Sequence, residues 1–158
     1  MSLESVRNHL ASAAPELEVI VTEHSSATVD LAALAHGVAP GQIAKTLSLQ
    51  VKERIFLLVT AGDARLDNKK AKAAFGGKVK MLALEEVEAL TGHPVGGVCP
   101  FGLAAPLPVY CDGSLKAYDI VIPAAGATNA AVRIAPERMA DITGAEWVDV
   151  CQSPPGTT

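Results

Sequence analysis

Aromatic side chains are scarce: Phe, Tyr and Trp together make up 4% of the 158 residues. The core must therefore be built mostly from Ala, Val, Leu and Ile. Charged residues are also few, at 19%, against 49% hydrophobic, which excludes a disordered chain. No apolar run reaches the roughly 20 residues that a membrane-spanning helix needs. The N-terminal segment carries Glu4, Arg7 and His9 and lacks the apolar centre of a signal peptide, so a cytoplasmic location is expected. Cys99, Cys111 and Cys151 form no close pair, and His9, His24, His36 and His93 are scattered. Neither set has the spacing of a zinc site, and an odd number of thiols in a cytoplasmic chain is expected to stay free. A net charge of −4 argues against broad nonspecific nucleic-acid binding, which rests on phosphate neutralisation. It leaves room for a local basic patch.

What is present fits one domain, expected over 1–151, with a polar, Pro/Gly-rich flexible tail over 152–158. Ser2 to Ala13 reads as a helix stopped by Pro15, and Leu17 to Thr22 as a strand. Thr28 caps a helix that Gly37 ends, with Leu31, Leu34 and Ala35 expected toward the core. Ile43, Lys45, Leu47 and Leu49 alternate with Ala44, Thr46, Ser48 and Gln50. This period of two is a strand with one apolar and one polar face. A turn at Lys52, Glu53 and Arg54 leads into the apolar run Ile55 to Thr60, giving a hairpin. Asp67 caps a helix from Asn68 to Phe75, and a second helix over Leu84 to Leu90 has Leu84, Val87 and Leu90 on one stripe. Short strands and helices follow to Val150. Without regular strand–helix alternation, the hairpin signals favour a mixed, largely antiparallel α+β domain.

The uncharged stretch from Gly92 to Pro108 holds four prolines and four glycines, too many for a helix or a central strand. Its bent backbone and small side chains suit a rigid surface loop or a pocket wall close to a ligand. Its glycines match neither a dinucleotide fingerprint nor a phosphate-binding loop. The backbone at Gly96, Gly97, Val98 and Cys99 has the character of an oxyanion hole. Lys45 stands on the apolar strand face, where a lysine must be paired, neutral or open to a cavity. Snorkelling at the strand start is the alternative. Cys99 and His93 make a candidate thiol and base, although a small apolar pocket residue is the simpler role for Cys99. Lys69, Lys70, Lys72, Lys78 and Lys80 form the one basic concentration, read either as a solvated face or as a contact for nucleic acid.

Several segments, in order, resemble the YbaK/EbsC family, which includes free-standing prolyl-tRNA-synthetase-associated editing domains. They are Gly37-Val38, the run Pro40 to Leu47, Ala61-Gly62-Asp63, Gly92, and the run Gly96 to Gly102. Asp112, Ser114-Leu115, Ala124-Ala125-Gly126, Asn129 and the run Trp147 to Val150 complete the set. The resemblance implies a mixed, barrel-like sheet with flanking helices. It implies hydrolysis of the ester between a mischarged amino acid and the tRNA 3′ end, with no cofactor, metal or covalent enzyme intermediate. The terminal ribose hydroxyl of the tRNA is then expected to position water. Lys45 and Gly97 take the catalytic positions in this reading. Thr46, Gly96, Val98, Cys99, Pro100 and Asn129 bind substrate, and Lys69, Lys70 and Lys72 contact tRNA. The expected partners are mischarged aminoacyl-tRNA and an aminoacyl-tRNA synthetase. Two other readings stand beside it: a non-catalytic module that binds tRNA ends, an amino acid or a protein on the same fold, and a cysteine-dependent hydrolase.

Overall fold

A computed structural model describes residues 2–152. Its elements are α1 (Ser2–Ala13), β1 (Val19–Val21), α2 (Val29–His36), β2 (Ile43–Val51), β3 (Arg54–Ala61), α3 (Asn68–Phe75) and β4 (Lys80–Met81). They continue with α4 (Leu84–Thr91), β5 (Val109–Asp112), β6 (Ile122–Pro123), β7 (Ala130–Val132), α5 (Pro136–Thr143) and β8 (Glu146–Val148). From 153 onward the expected tail lies outside the described residues. Gln152 is still tied to the domain, since its N–H donates to the Arg65 carbonyl at 2.8 Å.

The β2–β3 hairpin is the spine. Its register pairs Ala44 with Ala61 and Val51 with Arg54, and the turn between them holds Lys52 at φ 56°. Cross-strand partners share a face, so Lys45, Leu47 and Leu49 lie with Thr60, Leu58 and Phe56. On that face α3 packs Ala71 and Phe75 against Leu49, Phe56, Leu58 and Val150. Phe56, Phe75 and Tyr110 meet there with ring centroids 4.6–5.3 Å apart. The opposite face is not polar surface, as the alternation suggested. Ala44, Leu57 and Val59 pack there into the main core with α1, α5 and Phe101. Ala44, Thr46 and Ser48 read as a solvent face only because their side chains are small.

The main sheet runs β4-β2-β3-β5-β8, with β6 also pairing β2, and β1 and β7 form a separate two-stranded sheet. The expected barrel is not closed. Nor is the sheet largely antiparallel: β2–β6, β3–β5 and β5–β8 are parallel. The parallel ladders arise because each pair is joined by a long crossover segment instead of a tight turn.

Asp67 accepts from the Lys70 N–H and starts α3, as its cap position required. Two helix faces differ from expectation. In α2 the buried residues are Ala32 and Ala33, while Leu31 and Leu34 are exposed. The alanines let the helix approach Ile43, Ile122 and Ala131 closely. In α4, Val87 is buried but Leu84 is 68% exposed. Among the described residues, no helix is long and apolar enough to cross a membrane.

Candidate active site

Thr28 Oγ1 accepts from the Leu31 N–H at 3.2 Å and fixes the start of α2, so that Val29 and Ala32 form one wall of a cavity. The second wall is β2, contributing Ala44, Lys45, Thr46 and Ser48. The parallel register of Ile43 with Ile122 brings β6 alongside and supplies the floor, with Ala124, Ala130 and Ala131. Val95, Gly96 and Val98 close the third side, and Met81, Leu84 and Val87 the fourth. The cavity measures about 220 Å³ and is lined mainly by small or aliphatic side chains.

Its polar groups are few. Lys45 is half-buried and donates from Nζ to the Ala64 carbonyl at 2.6 Å. An ammonium carries three donors, so two remain. Burial pulls its pKa below the ordinary lysine value, while the nearby Cys151 and Asp63 oppose the shift and Arg65 adds to it. Cys151 is itself pushed up to about 12 by burial and is neutral near pH 7, which leaves Asp63 as the counter-charge. Thr46 Oγ1 is buried and has no hydrogen-bond partner among the described residues.

The glycine-proline loop reaches this wall as a rigid body. Phe101, Cys99 and His93 are fully buried in it. Gly102 is pinned to α1, its N–H donating to His9 Nδ1 at 2.9 Å and its carbonyl accepting from Ser5 Oγ at 3.0 Å. Gly96 adopts φ 91°, open to glycine but strained for other residues. Gly97 packs against the backbone of Ala127, where a Cβ would stand 2.8 Å from the Ala127 N and C atoms. The Gly126 N–H donates to the Gly97 carbonyl at 3.0 Å and locks the two loops together.

The structure therefore gathers Lys45, Thr46, Gly96 and Val98 around one cavity. It does not bring the other four expected site residues to that wall. The Gly97 N–H donates to the Pro94 carbonyl at 2.9 Å, whereas the N–H groups of Gly96 and Val98 have no hydrogen-bond partner among the described residues. Pro100 faces a shallow depression beside His9 on the far side of the loop. Asn129 donates from Nδ2 to the Thr22 carbonyl at 2.9 Å, a structural tie. Cys99 Sγ lies 3.6 Å from His93 Nε2, but both groups are sealed in the core. Burial pushes that thiol up to about 12, which removes it as a nucleophile near neutral pH. Lys69, Lys70 and Lys72 sit on α3, away from the cavity, and Lys70 pairs with Asp149 at 3.2 Å. The walls from α2, β6 and β7 were not visible in the sequence. Their one signal is the run of small residues at Ala32, Ala33, Ala130 and Ala131.

Comparison with known proteins agrees with this geometry. Residues 22–142 match the aminoacyl-tRNA editing domain family. The chain is 46% identical over 154 residues to the uncharacterized protein YwhH of Bacillus subtilis, covering 96% of this chain and 98% of that one. It is 34% identical to EbsC of Enterococcus faecalis, named as a candidate Cys-tRNA(Pro)/Cys-tRNA(Cys) deacylase, over 72% of this chain and 71% of that one. A crystal structure described as a candidate trans-editing enzyme for prolyl tRNA synthetase superposes with a TM-score of 0.88 at 35% identity, covering 96% of this chain and 98% of that chain. A family match over residues 22–142 and a fold shared along nearly the whole chain assign this protein to the aminoacyl-tRNA editing domain family.

Proposed function

We propose that the protein hydrolyses mischarged aminoacyl-tRNA in trans, releasing the amino acid from the terminal ribose. The observation that carries the reading is the makeup of the cavity: an aliphatic chamber whose lining includes Lys45, Thr46 and the loop residues Gly96 and Val98. The amino-acid side chain occupies the aliphatic part. The ester carbonyl lies toward Lys45, Thr46 and the Gly96–Val98 turn. Water adds to that carbonyl, and the ammonium and the N–H groups of Gly96 and Val98 stabilise the developing oxyanion. Collapse breaks the ester C–O bond, and the ribose oxygen leaves with a proton. The ribose hydroxyl beside the ester positions the water, and the route passes through neither a metal nor a covalent enzyme intermediate. The lysines of α3 contact tRNA outside the chamber, and a synthetase supplies further tRNA affinity.

A panel of mischarged tRNAs tests this. At least one is expected to lose its amino acid faster than in buffer. Lys45→Ala should lower the rate by about 10²-fold or more, the typical cost of removing one oxyanion donor. A panel with no turnover refutes the enzyme, and a fully active Lys45→Ala refutes the site. Near-normal turnover by Cys99→Ser would rule out a thiol mechanism, as its burial leads us to expect. The Gly97 N–H, committed to Pro94, favours a second reading: a binding module on this fold with no turnover. Binding of the same tRNAs without hydrolysis would select it.

A further inference from the structure

The cavity opens in two directions. On one side, Met81, Leu84 and Val95 form an apolar rim, 65%, 68% and 52% exposed, and no charged side chain lines it. On the other, Thr28, Val29 and Lys45 also line a shallow groove that runs over Asp63, Ala64 and Arg65. Those last three residues in turn line a larger depression of about 750 Å³ that reaches Lys70, Ser114 and Tyr118. The shared residues make the three adjoining parts of one trough that runs past Lys45.

A nucleotide needs a cation for its phosphate, acceptors for its ribose hydroxyls and a ring to stack on. The second direction supplies all three. The Arg65 and Asp63 side chains are exposed, and neither makes a hydrogen bond or a close ion pair among the described residues, although Asp63 acts on the charge of Lys45. Of the other carboxylates of the trough, Asp30 is likewise exposed with no side-chain partner among the described residues, and the remaining two are occupied. Asp112 accepts from the Ser114 and Val150 N–H groups, both at 2.8 Å, and Asp149 pairs with Lys70. Gly41 leaves room for the meeting of Asp63 and Tyr118: a Cβ there would lie 2.9 Å from Asp63 Oδ2 and 2.7 Å from the Tyr118 hydroxyl.

We propose that this trough binds the 3′-terminal nucleotides of an RNA, with the Arg65 guanidinium on a phosphate and the Asp63 carboxylate accepting from a free hydroxyl of the terminal ribose. Tyr118 supplies the ring against which the base rests. The inference builds on the editing function, because an ester held at Lys45 leaves its ribose within reach of Asp63.

The test uses the whole protein and an uncharged, 5′-labelled oligoribonucleotide ending in CCA, so that binding is read without turnover. Arg65→Gln is expected to weaken binding about tenfold. It should also reduce the slope of log K against log salt by about 0.7, the value for one phosphate contact on a single strand. Arg7→Gln, which removes an exposed charge from α1, should leave the slope unchanged. A 2′,3′-dideoxy terminus should weaken binding to the wild type but not to Asp63→Ala, which removes the acceptor oxygens. The proposal is overturned by an oligonucleotide that does not bind the wild type, by an unchanged slope in Arg65→Gln, or by equal ribose dependence in wild type and Asp63→Ala. The charged-tRNA panel reports separately. Turnover with an unaltered Arg65→Gln slope removes the trough alone, whereas trough-dependent binding without turnover removes hydrolysis alone.

Discussion

Replacing Thr46 by Val should make the protein more stable and less active. The Thr46 hydroxyl is buried and has no hydrogen-bond partner among the described residues. A buried polar group left unpaired costs about 1–3 kcal/mol. Valine keeps the branched shape that suits β2 and removes the hydroxyl. A gain of about 1 kcal/mol then raises Tm by about 2–4 °C for a chain of this size. If the same hydroxyl meets the ester in the transition state, kcat/KM should fall by about tenfold, equivalent to about 1.4 kcal/mol. Thermal melts without substrate, paired with deacylation rates on the best charged tRNA, read the two effects separately. A lower Tm would mean that the hydroxyl has a partner in the folded chain. An unchanged kcat/KM would mean that it does not touch the substrate. The opposed signs are what the argument requires, since groups held unsatisfied for a ligand trade stability for function.

Gly97→Ala should lower Tm, because its Cβ would meet Ala127 backbone at 2.8 Å, whereas Gly113→Ala, with its nearest atom at 3.9 Å, should not. Overpacking of this kind costs about 1–3 kcal/mol, and equal melting of both variants and wild type would refute the contact. Acid should destabilise the protein through His93, whose imidazole burial holds below the ordinary value of 6.5. Between that lowered value and 6.5 the unfolded state binds the extra proton, so stability falls as pH drops through this window and levels off beneath it. Denaturant titrations of His93→Gln should show a shallower fall, and a residual slope is expected from His36, which burial shifts the same way.

The elements most legible in the sequence were those fixed by local chemistry. Asp67 and Gly76 bound α3 at the residues their capping roles demand, and Thr28 and Gly37 do the same for α2. The β2–β3 hairpin followed from its alternation and its short turn. What the sequence concealed was set by distant partners. Leu31 and Leu34 looked like the buried stripe of α2, yet Ala32 and Ala33 are buried, because close approach to Ile122 and Ala131 favours the smaller side chains. Nothing local to α2 carries that information. The parallel ladders are hidden for the same reason. Tyr110 pairs with both Leu58 and Glu146 across long intervening chain, so no turn signal announces either contact.

The candidate site divides along the same line. Lys45 and the glycine-proline loop stood out because each breaks a local rule: a charge among aliphatics, and a backbone too bent for any regular element. Which atoms of the loop face the chamber could not be read the same way. Gly97 and Cys99 are the residues whose chemistry invites a catalytic role, and both are turned inward. Gly97 spends its N–H on Pro94 and its missing Cβ on contact with Ala127. Cys99 lies against His93 in a dyad that the His93 Nε2 bond to the Phe101 carbonyl, 2.6 Å long, holds in the core. These inward-facing groups keep the loop rigid. In the proposed reaction that rigidity is what would make Gly96 and Val98 useful as donors, because an oxyanion donor stabilises charge only if it need not reorganise as the charge develops. The loop's reactive-looking residues thus serve the proposed chemistry by positioning, and its least conspicuous atoms would do the binding.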